Sequence, residues 1–206
     1  MRRLRSLAWP VLVLVSIVLW SVAVGRSIEV ERQKSRKEIS AFKSELVRLE
    51  YDNAILTSEH TRLSAIVTFS AEHKIDAGLA AMIYDVALAE GISPDIAFRM
   101  VQVESNFEPR AISRKGAIGY AQVMPSTAST LLGRSVGADE LFDPRLNLHL
   151  GFSYLRQLLF EYNGDLRLAL LAYNRGPRRV NELLALGQDP SNGYARDICG
   201  DCRMSE

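Results

Sequence analysis

Three short stretches hold residue types that can do chemistry. In Val-Gln-Val-Glu104-Ser105-Asn-Phe a carboxylate stands at the exit of an apolar run with helical spacing. Carboxylates favour helix N-termini, because the C-terminal end of the helix dipole is negative. Glu104 is therefore placed against the local field, and apolar neighbours add a desolvation cost to its charged form. Both effects favour the protonated acid near neutral pH, the state a general acid needs. The second stretch, Gly116-Ala-Ile-Gly119-Tyr-Ala-Gln122-Val-Met124-Pro125 preceded by Ser113, sets two glycines three apart before a polar amide. It reads as a tight loop whose backbone approaches something closely. Gln122 can both donate and accept there, as sugar hydroxyls and acetamido groups require. The third, Leu170-Leu-Ala-Tyr173-Asn174-Arg-Gly176-Pro177, is an apolar helix that ends on Tyr-Asn before a Gly-Pro break, with donors for a carboxylate or a ligand. Taken singly, each has a plain reading as well: a solvated helical glutamate, a Gly-rich turn, a buried structural tyrosine.

The elements that must position these residues are helical. Leu79, Met82, Ile83, Val86 and Leu88 recur at helical spacing over 75–90 and stop at Gly91, which suits a left-handed cap. Ser93 followed by Pro94 is an N-cap with proline in the first turn, opening a helix that ends near Glu104. Further helices are predicted over 125–132, 147–162, 165–173 and 178–186. No run of alternating β-branched residues signals a strand, so the class is all-α.

In this order and at these spacings the stretches resemble the lytic transglycosylase family of the soluble-transglycosylase type, whose catalytic domain is related to goose-type lysozyme. Glu-Ser, Ser-x-x-Gly-Ala-x-Gly, Gln-x-Met-Pro-x-Thr-Ala over 122–128, Leu-Phe-Asp-Pro over 141–144, Asn147, Gly151 with Tyr-Leu at 154 and 155, and Ala-Tyr-Asn-x-Gly-Pro carry the resemblance, which extends over about 91–198. The family reads Leu-Met where this chain has Tyr120-Ala121, so one wall of the cleft differs. The resemblance implies a lysozyme-like helical catalytic domain over 71–206 with Glu104 as the catalytic acid. It implies Ser105, Ser113, Gln122, Met124, Tyr173, Asn174 and Tyr194 as substrate-binding residues, Ser113 orienting Glu104. It implies no metal and no other cofactor.

The implied substrate is the peptidoglycan glycan strand, cut at the β-1,4 bond between N-acetylmuramic acid and N-acetylglucosamine to leave a 1,6-anhydromuramoyl end. Most glycosidases need two carboxylates, and none of the three motifs holds a second one. If the sugar's own acetamido group and 6-hydroxyl act as nucleophiles, Glu104 serves first as acid and then as base. Two alternatives stay open. One is a hydrolytic muramidase on the same fold, with Glu108, Asp139, Glu140 or Asp143 holding a water; the other is a non-catalytic envelope scaffold that binds cell wall.

The remaining third of the chain is laid out unevenly. Its 206 residues carry 25 Lys and Arg against 24 Asp and Glu, a balance that gives no reason to expect nucleic acid. Residues 6–25 contain no charge and nearly span a hydrocarbon core of about 30 Å at about 1.5 Å per residue, so 1–25 is expected to be a membrane anchor. Trp9 and Trp20 sit near its ends, and Pro10 is placed in its first turn. Arg2, Arg3 and Arg5 precede the apolar run and predict a cytoplasmic N-terminus, a single pass of the inner membrane and a periplasmic catalytic domain. Ser21 and Ala23 leave a cleaved signal peptide open, with release to the periplasm.

Over 26–70 the composition inverts to a charged helical stalk. There Ile39, Leu46 and Val67 alternate with Phe42, Leu49, Leu56 and Leu63 at three-then-four spacing, with Asn53 and His60 on the same seam. A parallel coiled coil that makes a homo-oligomer fits this pattern, and so does a single amphipathic helix lying against the following domain. Cys199 and Cys202, too few for a four-ligand zinc site, would form a small disulfide loop or remain free thiols.

Overall fold

The computed structural model describes residues 5–200 and Cys202, with side chains from Trp9 onward. Among the described residues the regular elements are helices, and the only ladder contacts are isolated antiparallel bridges from Ile118 to Ile112 and to Val123. The all-α expectation holds. The chain divides into two units, Met1–Thr61 and Arg62–Glu206.

Helix α1 (Arg5–His73) begins in the first unit and is uninterrupted into the second. Its N-terminal part is long and apolar enough to cross a membrane, and none of that apolar window is buried in the chain. Pro10 lies inside the helix rather than in its first turn, because the helix begins ahead of the apolar run at Arg5. The missing N–H removes one rung of the ladder there. Arg2 and Arg3 lie outside the described residues.

In the second unit, α2 (Ala77–Ala89) starts where Asp76 accepts the Leu79 N–H at 2.9 Å, and stops at Glu90 before the left-handed Gly91. Helix α3 (Pro94–Ser105) has proline at its start, but Ser93 makes no side-chain capping bond. Its exit is left-handed at both Asn106 and Phe107, a rare conformation for residues with a Cβ. Helix α4 (Pro125–Leu132) ends on the left-handed Gly133. Helix α5 (Pro144–Glu161) opens three residues earlier than its apolar periodicity indicates, since Asp143 accepts the Leu146 N–H at 2.7 Å and Pro144 takes the first helical position. Helices α6 (Leu166–Arg175), capped by Asp165, and α7 (Pro177–Ala185) follow, and the six-residue α8 (Tyr194–Cys199) had no sequence signal. Cys199 and Cys202 are joined as a disulfide at its end.

The core sits on α5, which buries Leu148, Leu150, Phe152, Leu155 and Leu158 against α2, α4 and α6. Where α2 meets α5 the buried carboxylate of Glu90 is held by His149 Nδ1 at 2.6 Å and the Arg156 guanidinium at 3.0 Å, the pairing a buried charge requires. Helix α8 packs on α3 and α6, and so brings the C-terminal part of the chain to the exit of α3.

Candidate active site

The loop over 111–124 is held by hydrogen bonds of its own backbone. Ile118 and Val123 exchange N–H···O bonds at 3.0 Å, and Gly119 N–H donates to Ala111 O at 2.9 Å. Beneath it, the buried side chain of Asn147 accepts the Ala121 N–H at 2.8 Å and donates to Ile118 O at 2.8 Å and Leu141 O at 2.9 Å. One amide from α5 thus satisfies three buried backbone groups. The two motif glycines follow from this closeness. Gly119 has φ +76°, and a Cβ there would stand 2.5 Å from Asn147 Nδ2 and 2.9 Å from Leu141 O. A Cβ on Gly151 would overlap the Cβ of Ala121 and reach within 3.1 Å of the Tyr173 hydroxyl. That hydroxyl donates to Ala121 O at 2.7 Å, and its ring meets Tyr154 at 5.4 Å.

Glu104, next to last in α3, is partly buried, and burial pushes its carboxyl up from 4.5 to about 7. A hydrogen bond from the Tyr194 hydroxyl to Oε1 works against that rise. The other oxygen, Oε2, accepts no hydrogen bond from a described residue. Burial and the nearby Glu104 charge hold the phenols of Tyr173 and Tyr194 well above their ordinary value, so both remain donors across the neutral range.

Among the described residues no hydrogen bond joins Ser113 to this carboxyl. Its Oγ accepts the Ala117 N–H at 2.9 Å, closing the 113–117 turn in the way short hydroxyl side chains do. Ser105 likewise turns inward, donating to Val101 O at 3.1 Å. Tyr194 takes the place expected of Ser113.

Gln122, in the left-handed region at φ 49°, donates through Nε2 to Gly119 O at 3.0 Å and Ala111 O at 3.2 Å. Its carbonyl oxygen accepts no hydrogen bond from a described residue. Met124 is partly exposed at the start of α4, and Asn174 is exposed at the end of α6. Asn174 Oδ1 accepts from Asn192 Nδ2 at 2.8 Å, while Asn192 Oδ1 accepts the Tyr194 N–H at 3.3 Å. Asn192, which no motif marked, therefore links the Tyr-Asn pair to the tyrosine on the acid.

Three of the four candidate second carboxylates are engaged locally. Asp143 caps α5, Glu140 pairs with Arg134 at 2.7 Å, and Glu108 accepts the Arg110 N–H at 3.2 Å; Asp139 is exposed. Among the described residues no cluster of His, Cys, Asp and Glu is arranged to hold a metal ion.

Comparison with known proteins converges on one family. A transglycosylase of Enterobacteria phage PRD1 is 39% identical over 90 residues, 44% of this chain and 32% of its own length. The soluble lytic murein transglycosylase of Salmonella typhimurium is 35% identical over 98 residues, 45% and 15% of the two chains. The membrane-bound lytic murein transglycosylase C of Mannheimia succiniciproducens is 39% identical over 121 residues, 52% and 33%. The chain thus matches a third or less of each relative's length. Among solved structures, an inactive Glu-to-Gln mutant of lytic transglycosylase Slt from Pseudomonas aeruginosa superposes with a TM-score of 0.52 at 29% identity, covering 59% of this chain and 23% of that one. The family model for the transglycosylase SLT domain matches residues 81–192, more than half of the chain. This protein belongs to the transglycosylase SLT domain family.

Proposed function

We propose that the chain is a membrane-anchored lytic transglycosylase of peptidoglycan, with Glu104 as its single acid and base. The observation that carries this reading is the state of that one carboxyl: raised to about 7, tied by Tyr194 at Oε1 and unengaged at Oε2. A proton on Oε2 passes to the O4 of N-acetylglucosamine as its bond to C1 of N-acetylmuramic acid breaks. The acetamido oxygen of that muramic residue supports C1, and its 6-hydroxyl then attacks. The Glu104 carboxylate takes the hydroxyl proton, which restores the acid and leaves a 1,6-anhydro ring. No water is consumed and no second carboxylate is needed, in keeping with the local engagement of Asp143, Glu140 and Glu108. Gln122, Met124, Tyr173 and Asn174 line the sugar cleft. That a Glu-to-Gln mutant of the Pseudomonas aeruginosa relative is inactive supports a glutamate as the essential group.

The anchor comprises 1–25, the stalk 26–70 and the catalytic part 71–206, with the N-terminus in the cytoplasm and the catalytic part in the periplasm beside its substrate. The apolar start of α1 and the membrane-bound relative support this placement. Mass spectrometry of muropeptides released from purified wall tests the reaction. Wild type is expected to release 1,6-anhydro products and Glu104→Gln none. Products heavier by one water would mean a hydrolase, and no release by wild type would mean a scaffold.

A further inference from the structure

Among the described residues the seam of α1 is left exposed at Leu63 and Val67, beside the side of the helix that packs on the catalytic unit. There α1 packs through one side only. Arg62 reaches Asp85 with two hydrogen bonds of 2.7 and 2.6 Å, Ile66 is buried, and Phe69 stacks on Phe98 at 4.2 Å. At about 100° of turn per residue, Leu63 and Val67 fall on a different side, and they are 55% and 66% exposed. The same stripe continues toward the N-terminus. Ile39, Phe42, Leu46, Leu49 and Leu56 are all exposed, Phe42 at 70%. A row of large apolar residues in water, interrupted at Asn53 and His60, marks a surface that something covers.

We infer that a second copy of this chain covers it, α1 pairing with α1 as a parallel, in-register, two-stranded coiled coil over 31–67. The flanking charges point to that occupant. With Ile39 at the first core position of its heptad, a parallel pair in register sets Glu31 against Arg36 of the second copy and Glu38 against Lys43 of the second copy, both attractive and both formed twice. Glu45 against Glu50 is the one like-charged flanking pair, the pairs beyond it, Asp52 against Thr57 and Glu59 against Ser64, set no two charges together, and Arg32 at the first core position near the start faces its own copy. Over 31–67 leucine holds three of the five second core positions, at Leu49, Leu56 and Leu63, with Ser35 and Phe42 at the others, and the polar Asn53 sits at a first core position, as do Arg32 and His60. An Asn there favours one register and two strands at a cost in stability, since only a facing Asn satisfies its amide. The parallel sense rests on the anchoring proposed above: two apolar helices entering one bilayer from the same side cannot run antiparallel. Confinement to the bilayer also raises the effective concentration of one copy for the other.

The test uses the full chain in isolated membranes, carrying Cys199→Ser and Cys202→Ser so that only an introduced thiol reacts. Single cysteines at Phe42 and Leu56, two core positions well apart, and at Ser44 on the outer face, are treated with a short thiol crosslinker. The expected result is a species of twice the mass for F42C and for L56C, and monomer for S44C. An antiparallel pair would link at one core position at most, and a non-specific encounter would link S44C equally; either pattern, or monomer throughout, overturns the inference. Glycan cleavage is scored separately on the chain that keeps its Cys199–Cys202 disulfide, so an inactive chain there would count against the proposed reaction and leave the coiled coil standing.

Discussion

At Glu104 a buried site that disfavours charge is what holds a proton near neutral pH. Its carboxyl titrates at about 7 in the folded chain against an ordinary 4.5. The folded state therefore binds the proton more tightly, and stability falls as pH rises from about 4.5 through about 7, with the full penalty present above that. The penalty is on the order of 3 kcal/mol. Glu104→Gln keeps the shape without the charge, so thermal melting is expected to show it more stable than wild type at pH 8, with the gap closed below about pH 4.5. Its cleavage rate should fall by about 10²–10⁴-fold or more. Tyr194→Phe removes the bond that opposes the pKa rise, so the alkaline limb of the kcat profile is expected to move to higher pH, with lower kcat from a less well-held carboxyl. An unmoved limb would show that the hydroxyl only packs. The unusual placement of Glu104 at a helix exit was legible in the sequence. Its partner was not, because Ser113 lies nine residues away and Tyr194 ninety, and spacing does not tell which of two hydroxyls the fold will deliver.

At the scale of elements, the cleft floor depends on α5 reaching the 111–124 loop through Asn147. Asn147→Ala leaves the buried Ala121 N–H and Leu141 O without their side-chain partner and leaves Ile118 O the Val123 N–H alone. The expected loss in a urea unfolding series is about 3 kcal/mol or more, with cleavage reduced at temperatures where the chain remains folded. A variant within 1 kcal/mol of wild type would contradict the role given to that amide. Most helices were legible from apolar spacing, with ends set by proline and glycine. The start of α5 was missed because apolar periodicity begins at Asn147, whereas the Asp143-Pro144 pair carries the cap and first-turn signal. Helix α8 escaped because six residues hold less than two turns of any pattern. Its position is set by packing on α3 and α6, which only the folded chain reveals.

For the whole molecule, the apolar start of α1 and the catalytic unit make separable demands. If the anchor is retained, alkaline carbonate washing leaves the chain in the membrane pellet, and N-terminal sequencing begins ahead of Trp9. A mature chain beginning near Val24 and recovered in the periplasmic fraction would show instead that the apolar run is a removed leader. Charge inversion after residue 25 made this boundary readable from composition, whereas the side of α1 that meets the catalytic unit was not. Leu63, Ile66, Val67 and Phe69 are all apolar, and only packing separates the pair that is buried or stacked from the pair in water.

The two crowded glycines also determine where this cleft tolerates change. At Gly119 and Gly151 even a methyl group collides with neighbouring atoms, so a randomised library is expected to return glycine at both positions whatever glycan it is selected on. Met124 and Asn174, exposed at the ends of their helices, carry no such constraint. Selection for altered glycan preference is therefore expected to accumulate substitutions at the rim and leave the floor unchanged.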